Sequence, residues 1–160
     1  YDIVLIDTGA GISSNVIYFI LAAQASIVIV TPEPTSRTDA YALIKVLRGN
    51  HAQKRFQILV NQVESETEGR LVYRNLSETA DRHLGDVSLG YLGCLTNETD
   101  VCHSIRRQKA AIELFPDGRF AAQIRALAGR VAAFPIPDLN GGLGSFWNRL
   151  LETVVEPKSV

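Results

Sequence analysis

The sequence predicts an α/β domain, a mostly parallel sheet with helices on both faces. Three observations predict it. Short apolar runs without polar alternation recur along the chain, the pattern of strands buried on both sides. Longer stretches with helical apolar spacing separate them, so successive strands are joined by crossovers and pair in parallel. Proline, glycine and capping residues fall at the expected boundaries.

Tyr1–Asp7 is a continuous apolar run ending in an acid and reads as the first strand. Ser13 or Ser14 can cap a helix reaching Ala25, with Val16, Phe19, Ile20 and Ala23 on one face. Ile27–Thr31 reads as a second strand, stopped by Pro32 and Pro34. Thr35–Leu47 has helical spacing, with Gly49 beyond its end, and Arg55–Asn61 is a third apolar run. Thr67–Leu84 reads as a long helix closed by Gly85, with Leu71, Leu76 and Ala80 inward. Val87–Leu92 is a fourth, shorter strand, and Asp100–Glu113 a helix with Val101, Ile105 and Ala111 inward. Pro116 and Gly118 then break the chain before a last core helix, Phe120–Ala133. The organisation expected is one domain over 1–134, a linker over 135–142 rich in Pro, Gly and Asn, and an amphipathic helix over 143–156.

Composition limits the function. The 160 residues carry 16 basic and 17 acidic side chains, a formal charge of -1, which excludes nucleic-acid binding through bulk basicity. Nucleic acid is accordingly not expected as a partner. No apolar run reaches the ~18 residues of a membrane span. Two cysteines, Cys94 and Cys102, without a CxxC spacing, read as free thiols of a reducing compartment, hence a cytoplasmic location. There is no methionine, so the sequence is expected to be a piece of a longer protein.

The chemistry concentrates after the first strand. Asp7-Thr8-Gly9-Ala10-Gly11 joins a strand to a helix, and ligands of open parallel sheets bind outside the carboxyl ends of strands. One acid there can hold hydrated Mg²⁺, and glycines let backbone amides approach a phosphate. The string Leu5–Ala10 also resembles the catalytic loop of retroviral-type aspartic proteases, which are all-β and work as a carboxyl dyad.

A longer match points elsewhere. Asp7–Ser13, Val30–Ser36, Thr38–Lys45, Leu59–Val63, Arg106-Arg107-Gln108 and Phe115-Pro116 together resemble the MinD/ParA family of deviant-Walker P-loop ATPases, nearest its flagellar-number regulators, the FlhG/FleN branch. The resemblance runs from Tyr1 to Ala133. It implies an ATPase switch that uses ATP and Mg²⁺, dimerises on ATP, binds membrane reversibly and regulates flagellar number or placement. By it, Asp7 holds Mg²⁺ through water, and Gly9, Ala10 and Gly11 sense the γ-phosphate. Asn61 contacts adenine, Thr96 and Glu98 flank the base, and Glu33 and Asp39 lie at the dimer face. Two departures stand out. Thr96-Asn97-Glu98 replaces the family's Pro-x-Asp, and no Gly-x-x-x-x-Gly-Lys-Ser/Thr string occurs anywhere. The 160 residues alone are therefore expected not to hydrolyse ATP, and the family's phosphate loop and central strand are expected N-terminal to them.

Leu143, Phe146, Trp147, Leu150, Leu151, Val154 and Val155 form a helical apolar stripe. Such a tail suits a membrane interface or a partner's groove, and the resembled family uses one as an ATP-dependent anchor. Arg149 offset by Glu152, and Lys158 by Glu156, leave little charge to attract anionic lipid. The alternative reading is a non-catalytic interaction module with a degenerate nucleotide site, docking a flagellar assembly or regulatory protein through this helix.

Overall fold

The computed structural model describes residues 3–51, 53–134, 144, 146–148, 150 and 151. Among them the sheet has three strands, β1 (Ile27–Val30), β2 (Arg55–Val63) and β3 (Ser88–Thr96), in the order β1-β2-β3 and parallel throughout. Helix α1 (Ser14–Ala22) precedes β1, and α2 (Pro34–His51) and α3 (Glu66–Leu84) connect the strands. Then follow α4 (Thr99–Arg106), α5 (Ala111–Leu114) and α6 (Arg119–Ala132).

Alternation along the strands builds two layers of core. Val28, Val30, Phe56, Ile58, Val60 and Val63 face one way and pack with Ile44 and Leu47 of α2 and Val72, Leu76 and Ala80 of α3. On the opposite face Ile27 and Leu59, with Leu92 and Leu95 of β3, meet Leu127, Ile124 and Phe120 of α6. Both faces are thus helix-covered, as parallel strands require. This is the α/β fold expected, and it excludes the all-β architecture of an aspartic protease.

A tripod of charge closes the amino ends of the strands. Asp86, just before β3, accepts from Arg48 Nε in the last turn of α2 and from Lys54 Nζ before β2, each at 2.7 Å. At the other end of α3 the Ser65 hydroxyl accepts from the Glu68 backbone N–H, while the Glu68 carboxylate accepts from the Glu64 N–H. One orphan donor of the first turn, the Glu68 N–H, and the Glu64 N–H just before the cap are thereby satisfied.

Several boundaries differ from expectation. Positions 3–9 form no strand, and Ile3, Val4, Leu5 and Ile6 are 52, 53, 79 and 38% exposed. A strand needs a neighbour for its amides and carbonyls, and among the described residues β1 pairs only with β2. Helix α2 passes through Gly49, since Ile44 and Leu47 anchor it and Arg48 pairs with Asp86. Strand β3 runs on to Thr96 through a register shift opposite Ile58 and Leu59. Gly93 takes φ 148° there, and a Cβ on it would meet Arg130 and Leu127 within 3 Å.

The helix expected over 100–113 divides because Gln108 adopts φ 52°, with the Arg107 N–H donating to His103 and Ser104 carbonyls and Lys109 N–H to Ser104. Leu71, Ile105 and Phe19 are exposed rather than inward. The linker over 135–142 and Leu143, Val154 and Val155 lie outside the described residues. No helix among the described residues is long and apolar enough to cross a membrane.

Candidate functional site

Parallel pairing sets the carboxyl ends of β1, β2 and β3 side by side, and each end carries polar groups. At the end of β2 the register slips again, so that Asn61 and Gln62 bulge between Val60 and Val63. Gln62 takes φ 60°, and its N–H donates to Asn61 Oδ1 at 2.9 Å. The asparagine side chain is fixed by the backbone of the next residue, leaving the two N–H bonds of its amide nitrogen unpaired among the described residues.

Next to it, the Asn97 N–H donates to the Val63 carbonyl at 2.8 Å, joining the two tips. Thr96, 4% exposed, donates from its hydroxyl to Glu98 Oε1 at 2.6 Å. Its backbone N–H donates 3.2 Å to Gln123 Oε1 of α6, and Arg119 Nε lies 3.7 Å from Glu98 Oε1. Gln123 and Arg119 were not legible as site residues in the sequence. The available signal was one polar side chain, Gln123, among Phe120, Ala121, Ile124 and Leu127 on the inward face of α6.

At the end of β1, Thr31 N–H donates to Ser36 Oγ at 3.0 Å. Thr31 Oγ1 and Arg37 Nε are buried there without a hydrogen-bond partner among the described residues. Unmet hydrogen-bonding capacity at this end of the sheet fits a polar ligand or further chain. Glu33 and Asp39 are exposed.

The Asp7–Gly11 loop precedes α1. Asp7, Gly9, Ala10 and Gly11 are exposed, Gly11 has φ 100°, and a Cβ at either glycine would meet nothing within 4 Å. The open backbone fits close approach of a phosphate, and a lone carboxylate fits hydrated Mg²⁺ better than a dehydrated metal cage. No group of three metal-ligating side chains exists among the described residues. The structure thus brings Asn61, Thr96 and Glu98 together on adjoining strand tips. It forms no described hydrogen bond or ion pair between them and the Asp7 loop. In the tail, positions 144, 146–148, 150 and 151 are helical, with Trp147 and Leu151 54 and 57% exposed and Phe146 and Leu150 half-buried. The Phe146 and Trp147 rings meet edge to face at 5.3 Å.

A separate cluster ties the edge strand β3 to α3. Glu66 accepts from the Cys94 thiol at 3.0 Å and from Arg70 at 3.0 Å, and Arg70 lies over the Tyr91 ring. The thiol hydrogen bond holds the Glu66 carboxyl below its usual range, with Arg70 assisting against burial. Burial pushes the Cys94 thiol and the Tyr91 phenol up.

A helix-covered parallel sheet with polar groups at its strand ends is an α/β fold consistent with a domain of the P-loop NTPase type. No protein-family model matches the chain. It is 39% identical over 152 residues to the antiactivator FleN of Pseudomonas aeruginosa, covering 94% of this chain and 54% of that protein. It is 32% identical over 157 residues to the flagellum site-determining protein YlxH of Helicobacter pylori, covering 94% and 52%. These likenesses support the resemblance to the flagellar branch of the MinD/ParA family. It spans about half the length of the curated relatives it matches.

Proposed function

We propose that the chain is the distal part of an ATP-binding, ATP-hydrolysing switch that regulates flagellar number or placement. The observation that carries this reading is the placement of Asn61, in the bulge at the tip of β2, on the strand tip adjoining that of Thr96 and Glu98, where a base would lie. The likeness to an antiactivator and to a flagellum site-determining protein supports the flagellar role.

In this account Asp7 holds hydrated Mg²⁺ while the Gly9, Ala10 and Gly11 amides approach the terminal phosphate. Asn61 orients the base through its free amide N–H bonds. Bound MgATP supplies the phosphoryl group and the counter-charge for its transfer to water. The phosphate-binding lysines belong to a segment outside these 160 residues. Exposed Glu33 and Asp39 contribute to an ATP-dependent homodimer. The 143–156 helix presents Trp147 and Leu151 to a membrane surface or a flagellar regulatory protein, from the cytoplasmic side.

Calorimetric titration of MgATP and MgADP into the full-length protein tests the reading. Binding that is lost in Asp7→Ala and weakened in Asn61→Ala is expected. Absence of binding by the unmutated protein contradicts it. That outcome favours a second reading, an interaction module docking through the exposed Trp147 and Leu151.

A further inference from the structure

A groove lies between α2 and α3 at the end of the sheet away from Asn61 and Thr96. Helix α2 presents Ala42, Lys45, Val46 and Gly49 at positions i, i+3, i+4 and i+7, one stripe along its length. With Arg48, and with His83 and Leu84 of α3, this stripe lines an open groove of about 440 Å³. That is within the ~300–1,000 Å³ of small binding clefts. Leu84 is buried and Ala42 and Val46 are half-buried, which makes the floor apolar. Gly49 keeps the groove open, since a Cβ there would meet nothing within 4 Å.

The rim is cationic, and among the described residues no acidic side chain lines it. Much of the positive charge nearby has a structural use. Arg48 Nε and Lys54 Nζ both donate to Asp86, so a single carboxylate answers two cations. His51 in the last turn of α2 and Arg82 in the last turn of α3 offset the carbonyls at those helix ends. Lys45 has neither use. It stands well before the last turn of α2, beyond the reach of the dipole, and has no ion pair or hydrogen bond among the described residues. The terminal nitrogens of Arg48 have no described partner either.

A positive rim above an apolar floor between two helices complements a segment that carries carboxylates beside apolar anchors. We propose that this groove docks an acidic amphipathic segment of a partner protein, its carboxylates on Lys45 and Arg48 and its apolar side chains on Ala42, Val46 and Leu84. Docking here leaves the carboxyl ends of the strands uncovered, so the inference stands independently of the nucleotide reading.

The test is fluorescence anisotropy of a labelled synthetic peptide, with leucines at helical spacing among glutamates, titrated with the full-length protein at low salt. Saturable binding is expected, weakened about tenfold by Lys45→Glu and by Gly49→Leu, which fills the groove from a helical position with room for a side chain. Replacing the peptide's glutamates by glutamine, or its leucines by serine, is expected to cost a similar factor. Arg125→Glu, exposed on α6 across the sheet, is expected to leave binding unchanged. No binding up to about 1 mM peptide overturns the proposal. So does binding weakened as much by Arg125→Glu as by Lys45→Glu, which marks general charge attraction. Sedimentation with phosphatidylglycerol vesicles that depends on Lys45, without peptide binding, overturns it in favour of a membrane surface.

Discussion

Gly69 of α3 packs directly on Cys94 of β3: a Cβ at position 69 would stand 2.8 Å from Cys94 Cβ and 3.1 Å from its sulfur. The atoms in the way sit at the root of a strand side chain, so helix and strand must part to admit a methyl. Gly69→Ala is therefore expected to destabilise by about 1–2 kcal/mol, overpacking outweighing the gain in helix propensity. Gly49→Ala in α2, where nothing lies within 4 Å, is expected to stabilise by about 0.5–1 kcal/mol. Urea unfolding of the two variants checks the opposite signs.

The two cysteines should react very differently. Cys102 is exposed, whereas Cys94 is buried, donates to Glu66 and has its thiol pushed up, chiefly by burial. Thiolate is the reactive form, so iodoacetamide at mildly alkaline pH should label Cys102 quickly and Cys94 only after denaturation. Glu66→Gln leaves Cys94 buried and is expected to leave it unlabelled in the folded protein. Peptide mass spectrometry over a time course reads both rates.

Asp86 makes stability fall in acid. Its hydrogen bonds from Lys54 and Arg48 lower it from 3.8 to about 2. A carboxyl depressed on folding contributes stability above its unfolded value and loses that contribution as pH drops through the folded one. The loss attributable to Asp86 is thus expected between pH 4 and pH 2. It should shrink in 1 M salt, which screens an exposed cluster. Thermal melts of the unmutated protein and Asp86→Asn in that window should converge as pH falls.

The exposed apolar run at Ile3, Val4, Leu5 and Ile6, with Ile29 60% exposed on β1, gives the 160-residue chain a surface for self-association. Sedimentation velocity of this chain alone is expected to show oligomers whose weight rises with concentration. Leu5→Lys with Ile29→Lys should shift the population towards monomer. A monodisperse unmutated monomer contradicts the expectation.

The sheet was legible because apolar runs at 27–31, 55–61 and 87–92 can be buried only on two-sided strands, and proline or glycine ends most of them. The run at 3–6 has the same composition and still forms no strand, because pairing depends on a neighbour that local sequence does not contain. The extension of β3 to Thr96 was hidden by Gly93, which reads as a break yet serves as a bulge filled by Arg130 and Leu127. Asn61, Thr96 and Glu98 were found through resemblance. Their local chemistry was not, since the Gln62 N–H that fixes Asn61 depends on a positive φ. Gln123 comes from 27 residues further along the chain than Thr96, a distance no periodicity spans. The Glu66–Cys94–Tyr91 cluster escaped for the same reason.

The most direct test of the nucleotide account is amide hydrogen exchange of the full-length protein with and without MgADP. The account predicts slower exchange at 7–11, at the Asn61–Val63 tip and at 96–98, with little change in the Asp86 region at the opposite end of the sheet. Unchanged exchange at both strand tips under saturating MgADP would contradict it.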